Sequence, residues 1–152
     1  MTVNLTDAFP PSAVRAGVHC DGWREAVRVA GDLLVETGAA TERYVAAIVG
    51  AVEELGPYIV LAPGIAIAHA RPEDGATAVG FALVRLAEPV AFGSRSNDPV
   101  DLVFAFASPD KDQHIAALST LADFIESGSN LERIRGARTD DELYDVIREA
   151  GT

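Results

Sequence analysis

With 152 residues, 49% of them hydrophobic and 23% charged, the chain has the profile of one folded globular domain rather than a disordered segment. Twelve Lys+Arg against 23 Asp+Glu give a formal charge of −11. Such a surface repels phosphate backbones and anionic lipid, so nucleic acid and membrane surfaces are excluded as partners. The single cysteine, Cys20, cannot form an internal disulfide, which fits a reducing compartment.

Met1 to Pro11 lacks the basic start and apolar stretch of a secretory signal. The most apolar run, Ile59 to Ala68, contains Pro63 and Gly64 and falls far short of the ~20 residues that span a bilayer. The expected location is the cytoplasm.

The elements follow from hydrophobic period and from turn residues. Residues 1–12, with Pro10 and Pro11, read as a lead-in free to flex. Ala13–Cys20 alternates loosely and suggests a first strand. Asp21 is placed to cap a helix from Gly22 to about Glu36, with Trp23, Ala26, Val27, Ala30, Leu33 and Leu34 at helical spacing. Thr41 is placed to cap a second helix ending near Leu55. Val45, Ile48, Val49, Val52 and Leu55 form its buried face, and Gly56-Pro57 stops it.

The texture then changes. Tyr58–Leu61, Ile65–Ala68, Ala76–Leu86 and Pro99–Ala107 are apolar runs rich in β-branched residues and broken by Pro and Gly. The last two are apolar enough to lie centrally in a sheet covered on both faces. From Asp112 a helical stripe returns (Ile115, Leu118, Leu121, Ala122, Ile125) and ends at Gly128. A short helix around Leu131–Ile134 follows, and Thr139 to Glu142 forms a capping-box pattern ahead of a last helix to about Ala150. This order predicts an α/β fold: one domain over 1–152, a layered sandwich with a mixed sheet flanked by helices.

Few residues in this frame can do chemistry. His69 follows the strand Ile65–Ala68, and His114 lies in the first turn of the helix after Pro99–Ala107. Both stand just beyond the carboxyl ends of predicted strands, where open α/β sheets place ligands. If the two strands are close in the sheet, the imidazoles can meet. A neutral imidazole offers a nucleophilic nitrogen, and its neighbour can donate to phosphoryl oxygens. Free amides opening the His114 helix and the guanidinium of Arg71 favour the same anion. Such a kit would serve phosphoryl transfer with no metal and no cofactor. Position alone leaves a structural role open for both histidines. His19 beside Cys20 lacks metal-ligand spacing, and no P-loop, GxGxxG or GxSxG string is present.

The run Gly56 to Gly75, GPYIVLAPGIAIAHARPEDG, resembles the active-site segment of enzyme IIA components of the bacterial sugar phosphotransferase system, mannitol/fructose-type superfamily. The Gly-Pro-Tyr opening, Glu88-Pro89-Val90 with Phe92, and Asn97-Asp98-Pro99-Val100 are most similar to its L-ascorbate branch. The resemblance runs from the Trp23 helix to the last helix and implies the EIIA fold. It implies that His69 is the phosphorylated residue and His114 the histidine that stabilises the phosphoryl group. HPr would be the donor and a cysteine of enzyme IIB the acceptor, in a phosphotransferase relay for sugar uptake that meets the membrane only through the transporter. Arg71 follows the family's His-Ala-Arg pattern. A regulatory module that reports its phosphorylation state by binding a partner is the alternative. Two departures stand out: Ala68 replaces the usual proline before the active histidine, and Ala51-Val52-Glu53-Glu54 lacks the arginine that mannitol-type relatives carry on the preceding helix.

Overall fold

The computed structural model describes residues 2–151. The elements in chain order are α1 (Leu5–Ala8), a 3-10 turn (Pro11–Ala13), β1 (Val14–Val18), α2 (Trp23–Glu36), α3 (Glu42–Leu55), β2 (Val60–Ala62) and β3 (Ile65–Ala68). A second 3-10 turn (Pro72–Asp74), β4 (Gly80–Val90), β5 (Val100–Ala107), α4 (Lys111–Glu126), α5 (Gly128–Gly136) and α6 (Asp140–Ala150) complete them.

The strands form one five-stranded sheet in the order β1-β4-β5-β3-β2. It is mixed: β1 runs parallel to β4 and β3 parallel to β5, whereas β4–β5 and β2–β3 are antiparallel. As expected from their composition, β4 and β5 are central. Every residue of β5 except Asp101 is buried, so both faces of that strand are covered. Helices α2 and α3 pack on one another, and α2 lies against β3, β4 and β5. Helices α4, α5 and α6 form a second group that meets β5 and β1. In the lead-in, Leu5, Ala8 and Phe9 are buried.

Three local expectations are corrected. Asp21 does not cap α2; Gly22 occupies the cap position, and the Asp21 backbone N–H donates to Glu25 Oε2. Thr41 stands at the cap of α3, but its hydroxyl donates to the Gly75 carbonyl at 3.0 Å rather than serving the helix. Leu55, expected on the buried face of α3, and Ile115, on the helical stripe of α4, are 70% and 58% exposed. Each lies at the helix end nearest the two histidines, where no element covers the stripe.

The β2–β3 hairpin turns on Pro63-Gly64, with Gly64 at φ +76° as a tight Pro-Gly turn requires. Gly75 closes the turn after His69 at φ +129°. A Cβ there would lie 3.0 Å from the Tyr44 amide nitrogen and closer still to Thr41 Oγ1. Gly75→Ala is therefore expected to lower stability by about 1–3 kcal/mol. A denaturant midpoint equal to the parent's would contradict this reading of the turn.

Candidate active site

Parallel pairing of β3 with β5 brings the two histidines together. The register sets Ala68 opposite Ala105, so the next pair along is His69 and Phe106. The rings of His69 and Phe106 stack at 5.0 Å between centroids, inclined by 23°. The chain leaving β5 turns into α4 and returns His114 over the same edge. Its ring lies 5.6 Å from that of His69 and 5.0 Å from that of Phe106. Tyr58, entering β2, presents its ring edge-on to His69 at 6.0 Å.

The hydrogen bonding of His69 assigns roles to its ring nitrogens. Nδ1 lies 2.8 Å from the carbonyl oxygen of Ile67. A carbonyl only accepts, so Nδ1 carries the proton and Nε2 keeps its lone pair. The half-buried ring is held below its ordinary pKa of 6.5, mainly by burial and further by His114, with the Ile67 carbonyl opposing. It is thus a neutral imidazole with a nucleophilic Nε2 at neutral pH. Burial also lowers the His114 pKa, and its Nδ1 is buried without a hydrogen-bond partner among the described residues. With Nδ1 closed off, Nε2 is the nitrogen left to donate to an arriving oxyanion.

Beside the pair lies a cleft of about 670 Å³, floored on α3 by Ala47, Gly50 and Ala51 and rimmed by Glu54, Leu55, Tyr58, Arg71 and Asp74. Small side chains on α3 leave the hollow open. Arg71 reaches it as an exposed side chain whose Nε stands 3.5 Å from Asp74 Oδ2. That carboxylate holds the guanidinium near the His69 loop and competes for its charge. A second hollow of about 530 Å³ on the other side of Arg71 and His114 includes Lys111. Among the described residues, no group of three or more His, Cys, Asp and Glu side chains could hold a metal ion.

The amides opening α4 are less free than expected. Asp110 caps the helix, its side chain accepting from the Gln113 N–H at 2.8 Å and its carbonyl from the His114 N–H at 2.9 Å. The carboxylate also places negative charge where an anion was expected to settle. Two aromatic contributors escaped the sequence reading: Phe106, which stacks on His69, and Tyr44, discussed below. Both were legible only as apolar core.

The family profile described as "Phosphoenolpyruvate-dependent sugar phosphotransferase system, EIIA 2" matches residues 8–150. The chain belongs to this family. An "Ascorbate-specific PTS system EIIA component" from Shigella boydii is 40% identical over 136 residues, covering 89% of this chain and 88% of that protein. The solution structure of the mannitol-specific cryptic phosphotransferase enzyme IIA of Escherichia coli superposes with a TM-score of 0.87 at 32% identity, over 97% of this chain and 99% of that one. A chain of the Escherichia coli complex between enzyme IIA(Mtl) and phosphorylated enzyme IIB(Mtl) matches at a TM-score of 0.78 and 26% identity, covering 93% of this chain and 99% of that one. The mixed five-stranded sheet is therefore the mannitol-type EIIA fold. As an EIIA component this chain is a phosphotransferase acting through phosphohistidine in sugar uptake. Among the described residues, no helix is long and apolar enough to cross a membrane.

The three histidines should titrate apart. Asp21, hydrogen-bonded at 3.1 Å, and Glu88 raise exposed His19 above 6.5, while burial lowers His69 and His114 below it. Below about pH 6.5 the unfolded chain takes up protons at positions 69 and 114 before the folded one does. Their contribution to stability is therefore intact above that pH and declines as pH falls towards the folded-state values. Proton NMR titration of the imidazole resonances should find His19 titrating at the highest pH. A His69 midpoint at or above that of His19 would contradict the electrostatics described.

Proposed function

We propose that His69 is the phosphorylated residue of this EIIA component, that His114 and Arg71 stabilise the transferring group, and that the donor is phospho-HPr and the acceptor a cysteine of enzyme IIB. The observation that carries the reading is the Nδ1–H contact to the Ile67 carbonyl, which leaves Nε2 unprotonated beside an open cleft.

The Nε2 lone pair of His69 attacks phosphorus in line, and the donor's bond to phosphorus breaks as the new one forms. Nδ1 keeps its proton, so the phosphorylated ring becomes cationic, steadied by the Ile67 carbonyl. A cationic ring is also a good leaving group, which suits the second transfer, where the acceptor thiolate displaces it and the neutral imidazole returns. The His114 ring, 5.6 Å away, supplies a donor to the phosphoryl oxygens. Arg71 supplies positive charge once the group competes with Asp74. The α3 residues lining the cleft, Ala47, Gly50, Ala51, Glu54 and Leu55, include no arginine, and Arg43 on the same helix donates instead to the Glu73 carbonyl at 3.2 Å.

Likeness to ascorbate-specific EIIA components at 40% identity supports a relay feeding L-ascorbate uptake, on the cytoplasmic side of the transporter. The complex of a related enzyme IIA with phosphorylated enzyme IIB supports the choice of acceptor.

Incubation with enzyme I, HPr and labelled phosphoenolpyruvate should label the protein on His69, and His69→Ala should remain unlabelled. Persistent label in that variant would overturn the assignment. Loss of one preorganised donor costs ~10²–10³ in rate, so His114→Ala should slow transfer by about that factor without preventing it. Label that stays on His69 when an ascorbate-type enzyme IIB is added would favour the regulatory reading instead.

A further inference from the structure

The peptide group that follows His69 is gripped at both of its polar ends. The Tyr58 hydroxyl donates to the His69 carbonyl oxygen at 3.2 Å. The Ala70 N–H donates to the Tyr44 hydroxyl at 3.0 Å. That carbonyl and that N–H belong to a single planar amide, so two phenols from different parts of the chain fix the orientation of one plane.

Tyr44 does more than accept. Its one proton goes to the Phe106 carbonyl at 2.8 Å, the shorter of its two carbonyl contacts, the other being Ala70 at 3.2 Å. The residue is fully buried, and burial pushes its pKa up to about 12, so the hydroxyl keeps that proton at neutral pH. Helix α3 is thereby tied to the exits of both β3 and β5, and the β5 exit carries the ring stacked on His69.

We propose that Tyr44 and Tyr58 are positioning residues, a two-phenol clamp on the His69–Ala70 amide that holds the imidazole with Nδ1 on the Ile67 carbonyl and Nε2 facing the cleft. The inference rests on His69 being the phosphorylated residue. With the amide plane fixed at both ends, rotation about the His69 Cα–C bond is blocked, and the direction of the side chain is set relative to helix and sheet. Freed of either phenol, the plane can turn, and the ring's reach back to Ile67 loses its geometry.

Tyr58→Phe and Tyr44→Phe test the clamp, since each removes a hydroxyl and keeps a ring. Tyr58 is 38% exposed, so its variant keeps the core intact even if Tyr44→Phe weakens folding. Two readouts are needed: single-turnover transfer from phospho-HPr over a range of donor concentrations, and nitrogen-15 NMR of the His69 ring. Tyr58→Phe should lower the maximal rate about fivefold to tenfold, the loss of one ordinary hydrogen bond, with the half-saturating donor concentration unchanged. Tyr44→Phe, which frees two backbone groups, should lower it by about 10². Both variants should shift the ring from the Nδ1–H tautomer towards a mixture. A Tyr58→Phe variant changed only in half-saturating concentration would make the hydroxyl a docking contact and overturn the clamp. Unchanged rates and tautomers in both variants would do the same. Parent protein that takes no phosphate on His69 would defeat the functional reading instead, and the tautomer measurement would still judge the clamp.

Discussion

Parallel pairing of β3 with β5 is the constraint on which the rest of the molecule depends. It delivers two strand exits to one edge of the sheet, so that His69 ends one path and the turn into α4 begins the other. Residues 45 positions apart in the chain then share a cleft without any long flexible loop. Antiparallel β4 closes the far side of β5 with a largely buried apolar strand, and the two helix groups cover the faces, while the carboxyl ends of β3 and β5 open onto the cleft. A ring placed there is partly desolvated and still reachable. That combination keeps an imidazole neutral while leaving one nitrogen available to a partner.

Electrostatics at this edge work against a phosphoryl group as well as for it. Glu54, Asp74 and Asp110 stand around the histidines, and the obvious cation, Arg71, is already engaged by one of them. Leu55, Tyr58 and Ile115 are exposed around the same opening and give it an apolar border. The physical picture is of a neutral nucleophile in a low-dielectric niche, with donors that can be recruited when charge arrives.

Much of this was legible in the chain. Ile65–Ala68 stood out between Pro63-Gly64 and the turn-rich Arg71–Gly75, and its ends were found as read. The placement of His69 and His114 beyond two strands followed from period and punctuation alone, and the resemblance carried by Gly56–Gly75 supplied family and fold. Adjacency of the two strands was not legible, because register is a long-range property that no local pattern encodes. Tyr44 was hidden for a similar reason. Its hydroxyl partners lie 26 and 62 positions away, and nothing in the spacing of its own helix sets it apart from the other buried residues there. Leu55 and Ile115 were misassigned because helical spacing says which residues share a stripe and nothing about where the covering layer stops. The expected Thr139 cap formed, its hydroxyl accepting from the Glu142 N–H at 3.1 Å, whereas the Thr41 hydroxyl found the Gly75 carbonyl instead of its own helix.

The proposed transfer turns on one atom. With Nδ1 protonated on the Ile67 carbonyl, Nε2 is the nitrogen of His69 that keeps a lone pair for the proposed bond to phosphorus. Phosphorus–nitrogen coupling in the NMR spectrum of the phosphorylated, nitrogen-15-labelled protein reads that bond directly. Coupling to Nε2 of residue 69 is expected. Coupling to Nδ1 of that ring, or to a nitrogen of residue 114, would contradict it.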